Sequence, residues 1–185
     1  MITRPRNLIL SPSALVPIEL LQRKALSAAT SVTFSGLNGN FDERYLIEFR
    51  VDITAAADKF LLLRPNNDTG GNYKCLDQEM VESGTSPSTQ TQSRDAKNAL
   101  VLGHNGWSHN GWLWTMGELD AKAGKNRLFW ARAMMLDTTD TTRMMHILYG
   151  GVWKNTADNI TSLVIDFESA SLTGDARIYR AKRPF

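Results

Sequence analysis

Apolar and polar residues alternate along much of the chain, most regularly in the segment RYLIEFRVDI. Tyr45, Ile47, Phe49 and Val51 fall on one side of an extended chain, and the residues between them are mostly polar. A period of two residues is the pattern of a β-strand with one buried face. The segment therefore predicts a strand that places these four side chains in a core.

Other short apolar runs predict about seven or eight further strands, separated by turn-forming residues. In the run RLFWARAMML, we expect Leu128, Trp130 and Ala133 to be core residues. Trp112 and Trp114 share one face of the run GWLWTMGEL, and large aromatic residues in strands are expected to face the core. Many short strands without alternating helices predict an all-β fold, an antiparallel β-sandwich of jelly-roll-like type. The runs are SVTFSG, RYLIEFRVDI, KFLLL, NALVLGHN, GWLWTMGEL, RLFWARAMML, TTRMMHILYGGVW, ITSLVIDFES and DARIYRAK.

The first 28 residues have a different pattern. NLILSPSALVP is apolar but interrupted by proline, and IELLQRKAL then places Ile18, Leu21 and Ala25 on one helical face. Pro17 suits the first position of a helix, where its missing N–H would have no intrahelical partner. We therefore predict an N-terminal arm and short helix over residues 1–28, followed by a β-sandwich domain over residues 29–185. The arm could cover its own domain or dock on a neighbouring subunit.

Residues 66–97 are rich in Gly, Asn, Ser, Thr and Gln, and they offer few apolar residues for burial. A polar connection of this length in a compact domain is usually functional or mobile. The pattern predicts an exposed loop.

The stretch HNGWSHNGW repeats four residues after five positions, and its two histidines raise the question of a metal site. On one strand, His104 and His109 would point to opposite faces. Zinc needs three or four ligands, the chain has one other histidine, His146, and no acidic residue follows the repeat before Glu118. We therefore predict no metal site.

Two further interpretations of the repeat remain open. Asn105, Trp107 and Asn110 could bind a glycan, since tryptophan offers a flat apolar face and asparagine offers hydrogen bonds. Alternatively, the two Asn-Gly dipeptides form a double bend or a bulged hairpin, because Asn and Gly tolerate positive φ. In that interpretation, which we favour, the tryptophans hold the turn against the sandwich.

Composition restricts the function only broadly. The 185 residues carry a net charge of +2 and are 42% hydrophobic, which indicates one globular domain and does not indicate a nucleic-acid-binding protein. Cys75 is the single cysteine, so no intrachain disulfide can form and a buried, inert thiol is expected. No apolar run is long enough to cross a bilayer, and the N-terminus lacks a signal-peptide pattern, so we expect folding in a reducing cytoplasm without membrane insertion.

Catalytic motifs do not emerge from the sequence. Asp137 and Asp140 lie in an expected turn, and Asp166 and Glu168 share one face of a strand without a partner pair opposite them. No Ser–His–Asp context, phosphate-binding loop or nucleotide fingerprint occurs. We therefore expect a protein that is not an enzyme and needs no cofactor.

Two segments resemble parts of small virion structural proteins of tailed bacteriophages. FLLLRPNNDTGGNY, from Phe60 to Tyr73, resembles a strand that runs into Arg-Pro-Asn-x-Asp and then Asn-Tyr in those proteins. Residues 155–180, NTADNITSLVIDFESASLTGDARIYR, resemble their closing hairpin. Arg180 departs from the pattern, because those chains tend to place a glycine there, so we expect the chain to leave the final strand differently.

The resemblance implies a jelly-roll or sandwich protein of the virion, synthesised in the host cytoplasm and displayed on the particle surface as a capsid decoration or as a tail or fibre component. It implies other phage virion proteins as partners and a homo-oligomer, for which a trimer is one form, and it carries over no catalytic residue. We expect partner contacts from the arm, since assembly needs apolar surface or edges that neighbours can cover. The arm residues concerned are Arg4, Arg6, Leu8, Ile9, Leu10, Leu15 and Val16.

Two rival functions are retained. The chain could be a glycan-binding, receptor-recognition module of a phage tail that binds a host surface glycan through residues 66–97 or the HNGW repeat. It could also be a hydrolase of cell-wall or capsule polysaccharide, which would need two carboxylates facing each other across a cleft.

Overall fold

The structure is a computed structural model that describes residues 18–54, 59–83, 86–93, 97–105, 110–137 and 143–181. These residues form twelve β-strands and one four-residue α-helix, α1 (Gly39–Asp42). No helix in these ranges is long and apolar enough to cross a membrane. The strands are β1 (Ile18–Ala29), β2 (Ser31–Ser35), β3 (Arg44–Thr54), β4 (Phe60–Pro65), β5 (Tyr73–Ser83), β6 (Ser86–Ser93), β7 (Leu100–His104), β8 (Gly111–Asp120), β9 (Arg127–Asp137), β10 (Arg143–Trp153), β11 (Ser162–Asp166) and β12 (Ser171–Ala181).

The strands form two antiparallel sheets that enclose one core. The larger sheet has eight strands in the order β1-β12-β3-β8-β9-β10-β5-β6, and the smaller has four in the order β2-β11-β4-β7. Phe34 and Leu63 from the smaller sheet and Phe49 and Ile178 from the larger are completely buried. The predicted all-β antiparallel sandwich is confirmed.

Eight of the strands pair as one long hairpin that has been rolled up. The first strand pairs with the last, β2 with β11, β3 with β8 and β4 with β7. This is the strand pairing of a jelly roll. The other four strands are two inserted hairpins, β5–β6 and β9–β10, which both extend the larger sheet beyond β8.

The alternation in RYLIEFRVDI holds in the structure. Tyr45, Ile47, Phe49 and Val51 on β3 are at most 1% exposed. The same strand is central in the larger sheet, paired with β12 on one side and β8 on the other. This prediction was correct because one face of the segment is apolar and the other is mostly polar.

The predicted helix near the N-terminus is wrong. Residues 18–29 form β1, the edge strand of the larger sheet, paired antiparallel with β12. A helix would have left one edge of β12 without a pairing partner, and the pairing outweighs a weak helical pattern. The predicted boundary after residue 28 therefore falls inside a strand, and residues 18–28 belong to the sandwich. Residues 1–17, which include every arm residue proposed for partner contact, lie outside the described ranges.

The predicted loop over residues 66–97 is also largely wrong, since β5 and β6 form a hairpin within it. The core-facing side of β5 carries Cys75, Asp77 and Glu79, all buried, whereas Leu76 and Met80 are exposed. Acidic residues on the inner face and apolar residues on the outer face invert the usual strand pattern, so the strand could not be recognised. Cys75 is buried, as expected, and forms no disulfide.

Candidate interaction surface

The HNGW repeat does not connect a hairpin. Strand β7 ends at His104 and β8 begins at Gly111, and these two strands belong to different sheets. The connection therefore crosses from one side of the sandwich to the other. Residues 106–109, with Trp107 and His109, lie outside the described ranges, so the favoured double bend stays a prediction.

The first His-Asn pair of the repeat lies inside the sandwich. Asn105 is completely buried, its side-chain oxygen accepts a hydrogen bond from the Lys59 N–H at 2.6 Å, and its own N–H donates to the Lys59 carbonyl at 3.1 Å. His104 is 2% exposed, with Nε2 3.7 Å from Glu79 Oε1 and its ring against Phe60. Asn105 therefore fixes the end of β7 and cannot reach a glycan, which corrects its assignment as a binding residue. Asn110 is exposed.

Two of the acidic residues noted in the sequence, Asp166 and Glu168, have structural partners. Asp166 forms an ion pair with Arg64, which joins neighbouring strands of the smaller sheet. Glu168 accepts hydrogen bonds from the Phe60 N–H at 3.0 Å and from Lys97 Nζ at 2.8 Å. In the ranges that the structure describes, no group of three or more His, Cys, Asp or Glu residues could hold a metal ion.

The two segments that resemble phage virion proteins contact each other directly. The Asn66 side-chain oxygen accepts hydrogen bonds from the N–H groups of Thr161 at 2.8 Å and Ser162 at 3.2 Å, and its amide donates to the Asn159 carbonyl at 2.8 Å. Asn66 has a φ of 52°, a conformation that asparagine tolerates better than most residues. The side chain therefore joins the turn after β4 to the entrance of β11.

Asp68 organises the same turn from within. One carboxylate oxygen accepts from the Gly70 N–H at 2.8 Å, and the other accepts from Asn72 Nδ2 at 2.9 Å and from Trp153 Nε1 at 2.8 Å. Burial by itself would raise the pKa of Asp68, but the hydrogen bonds from Asn72, Trp153 and Gly70 outweigh it and hold the pKa below its usual value. Both conspicuous side chains of the Asn-x-Asp motif are thus structural.

A buried arginine that the sequence did not reveal closes the same end of the sandwich. Arg127 is completely buried, and its guanidinium donates to the backbone carbonyls of Ala121, Asn155 and Asp158. The guanidinium carbon also lies 4.7 Å from the centre of the Trp153 ring. Desolvation lowers the pKa of Arg127 from its usual value, but the group keeps its charge near neutral pH.

The outer face of the larger sheet is the most unusual surface of the protein. Leu128 is 63% exposed, Trp130 47% and Trp112 42%. The prediction that Leu128 and Trp130 belong to the core is therefore wrong. The expectation that Trp112 faces the core is wrong as well. Their neighbours in sequence, including Leu113 and Phe129, fill the core instead, and Ala133 is buried as expected.

We define the outer apolar face as the outward side chains of β8, β9, β10 and β5. Eight of them are exposed by 39–63%. Trp114, Met116, Met134 and Val152 are partly exposed on the same side of their strands. The eight more exposed residues are Leu76, Met80, Trp112, Leu128, Trp130, Leu136, Met144 and Leu148.

Strand register makes this face continuous. Trp112 lies opposite Leu136, which lies opposite Met144 on the next strand. The adjacent row runs from Trp114 to Met134, then to His146 and Met80. Directly opposed side chains in antiparallel strands lie about 5 Å apart, so the first row forms a ribbon of contacts across three strands and the second across four.

Charged and polar residues border the face. On the β3 side, Glu48 accepts hydrogen bonds from Arg50 Nε at 2.9 Å, Tyr179 OH at 3.1 Å and Trp114 Nε1 at 3.4 Å. Burial raises the pKa of Glu48, but the donors Arg50, Trp114 and Tyr179 outweigh that effect, so the net shift is downward. On the other side lies β6, with exposed Ser, Thr and Gln side chains.

Arg132 is the one arginine or lysine among the outward side chains of β8, β9 and β10 that the structure describes. Its guanidinium carbon lies 5.2 Å from the centre of the Trp114 ring, a cation–π arrangement that keeps the charge against the sheet. The sequence could not reveal this surface, because apolar residues in a strand are normally assigned to the core.

Comparison with protein-family models, with curated proteins and with solved structures finds no match for this chain.

Proposed function

We propose that the chain is a non-enzymatic structural protein of a bacteriophage virion, displayed on the particle surface as a capsid decoration or tail or fibre component and assembled by protein–protein contacts. The outer apolar face carries the assembly part of this proposal. Contiguous exposed apolar surface of this extent is rare on monomeric proteins and usually marks an interaction site. The face is bordered by charged and polar residues, which is the anatomy of an interface rather than of a catalytic cleft.

The assignment to a virion is supported by the two segments that resemble phage structural proteins. Their distinctive residues, Asn66 and Asp68, hold the turn after β4 to the start of β11 and to Trp153. The side chains of this motif stabilise the fold, which is what we expect in a family of structural proteins rather than in a family of enzymes. The jelly-roll pairing is compatible with this role but does not select it, since the same fold serves capsid proteins, lectins and cupins.

The proposal is tested on particles of the phage that encodes the chain. Mass spectrometry of purified particles, together with electron microscopy of gold-labelled antibodies, should detect the protein on the particle surface. A chain lacking residues 1–16 should fold and remain soluble but fail to join the particle, if the arm makes the contact expected from its sequence. Absence of the full-length protein from purified particles would refute the virion assignment, and normal incorporation of the shortened chain would refute the role of the arm.

Glycan recognition is the second candidate, favoured by the exposure of Asn110 and Trp112 at one end of β8. A flat tryptophan face beside an amide suits the apolar and polar sides of a sugar ring. Glycan-array binding by the intact protein, lost in Trp112→Ala and in Trp107→Ala, would support this function. Absence of binding, or binding indifferent to both substitutions, would remove it.

A further inference from the structure

We propose that the outer apolar face binds the same face of a second copy of this chain, so that two larger sheets pack against each other around a two-fold axis. This inference rests on the proposed function for its context and specifies one of the contacts by which the protein assembles. Its test is made in solution with purified protein, so it can fail or succeed independently of whether the chain is found in virions.

The size of the face fits a protein partner. With roughly 200 Å² for each large side chain, the eight residues that are 39–63% exposed present about 750 Å² of apolar surface. The largest apolar patch on a typical monomer is about 300–600 Å². A standard protein–protein interface takes about 800 Å² from each partner, which this face supplies.

The shape of the face fits a sheet better than a single segment. The face spans β8, β9, β10 and β5, which is three strand spacings or about 14 Å, and it extends about 27 Å from Leu128 to Leu136 along β9. One extended segment covers a width of only about 5 Å. Residues 1–17 of this or another chain could therefore cover one strand of the face but would leave the remainder in water.

The charge of the face fits a second copy. Arg132 lies in the middle of the face, where it is already engaged with the Trp114 ring. The other charged outward residues that the structure describes on β8, β9, β10 and β5 lie towards one end of the face: Glu118 and Asp120, which pair with Arg44 and Lys125, and Lys74. A partner selected by opposite charge is therefore not indicated, and the partner must supply a flat apolar surface of similar size. Among the residues described here, the surface that meets this requirement is the face itself, and self-complementary contacts of this kind produce two-fold pairs.

Two substitutions test the inference and should leave the stability of the monomer nearly unchanged. Trp130→Lys places a cation opposite Glu118 on β8, and Leu148→Glu places an anion opposite Arg132 on β9. Each new charge thus has an opposite charge as its neighbour within the sheet, whereas in the proposed pair it would be buried against apolar groups. Phe41→Glu is the matched control, because Phe41 is 54% exposed on α1, away from the face, and lies beneath Arg180.

Sedimentation equilibrium of the full-length proteins between about 1 µM and about 100 µM measures the outcome. The wild type and Phe41→Glu should form dimers, whereas Trp130→Lys and Leu148→Glu should weaken the dimer by about tenfold or more. Circular dichroism should show the same β-rich spectrum for all four proteins. A wild type that stays monomeric, a stable trimer, or a dimer unaffected by both face substitutions would overturn the inference.

A chain lacking residues 1–17 separates the two possible occupants of the face. If two sheets pack together, the shortened chain should dimerise like the wild type. If the shortened chain fails to dimerise, as Trp130→Lys and Leu148→Glu do, then the N-terminal segment of a neighbouring copy covers the outer apolar face. That result would refute the packing of two sheets against each other.

Discussion

Trp153 donates its indole N–H to the carboxylate of Asp68 at 2.8 Å, which ties the end of β10 to the turn between β4 and β5. Trp153 is completely buried, and its ring also contacts the guanidinium of Arg127. The pair lies where the β9–β10 hairpin returns to the eight strands that pair as a roll. It therefore connects the strand that carries Met144 and Leu148 of the outer apolar face to the turn that leaves the smaller sheet.

Replacing Asp68 by alanine should destabilise the fold by about 2 kcal/mol, because the buried Trp153 N–H would lose its acceptor and Asn72 and Gly70 would lose theirs. Urea unfolding at neutral pH measures the change. Asp52→Ala on the exposed side of β3 is the control and should change the free energy of unfolding by less than about 0.5 kcal/mol. Equal stability of Asp68→Ala and wild type would contradict the structural role of the motif.

The same carboxylate should make stability depend on pH. The folded-state pKa of Asp68 is below its usual value, so the carboxylate contributes stability above the unfolded pKa of about 4, and this contribution is lost as pH falls through the lower folded pKa. Asp68→Asn should therefore be less stable than wild type at pH 7, and the difference should narrow by about pH 3. Urea titrations at the two pH values measure the free energy of unfolding of both proteins. A difference between them that widens towards low pH would contradict a lowered pKa of Asp68 in the folded state.

Gly111 has a steric role at the start of β8. A Cβ atom at this position would lie 2.5 Å from the Leu136 carbonyl oxygen of β9, whereas a Cβ at Gly150 on β10 would meet nothing within 4 Å. Gly111→Ala should lower the free energy of unfolding by about 2 kcal/mol, since the clash is with backbone that cannot rotate away. Gly150→Ala should be neutral or stabilising by up to about 1 kcal/mol. Similar effects of the two substitutions would contradict the register of β8 and β9.

The two faces of β9 can be distinguished by a pair of alanine substitutions. Phe129 is 3% exposed and faces the core, while Leu128 beside it is 63% exposed. Phe129→Ala should cost about 3–5 kcal/mol, and Leu128→Ala should cost less than about 0.5 kcal/mol in dilute, dissociated protein. A larger cost for Leu128→Ala would mean that the strand is turned the other way.

The sequence predicted the sandwich well where the two sides of a strand differ in polarity. β3 satisfies that condition, since Tyr45, Ile47, Phe49 and Val51 alternate with mostly polar residues. β9 does not, because Leu128 and Trp130 on one side are as apolar as Phe129 and Met135 on the other. A strand that is apolar on both sides can be recognised as a strand, but its sequence does not show which side is buried. The outer apolar face could not be predicted for this reason.

The remaining failures also have physical causes. β1 carries a weak helical pattern, but its conformation is set by pairing with β12, a partner about 150 residues away in sequence. β5 turns Asp77 and Glu79 inward after Tyr73 and Cys75, so the apolar pattern of its inner face is interrupted. Asn105 in the HNGW repeat suggested a binding site, yet its side chain fixes Lys59 across the smaller sheet. Long-range contacts determine the conformation of β1 and the role of Asn105, and local sequence patterns do not contain them.

Solvent footprinting of the full-length protein tests the central claim most directly, namely that the outer apolar face is buried between copies. Hydroxyl-radical labelling of Leu128, Met144 and Leu148 should fall several-fold between dilute, dissociated protein and concentrated protein, while labelling of Phe41 should not change. Equal labelling of the face at both concentrations, in a sample that has dimerised, would contradict the account.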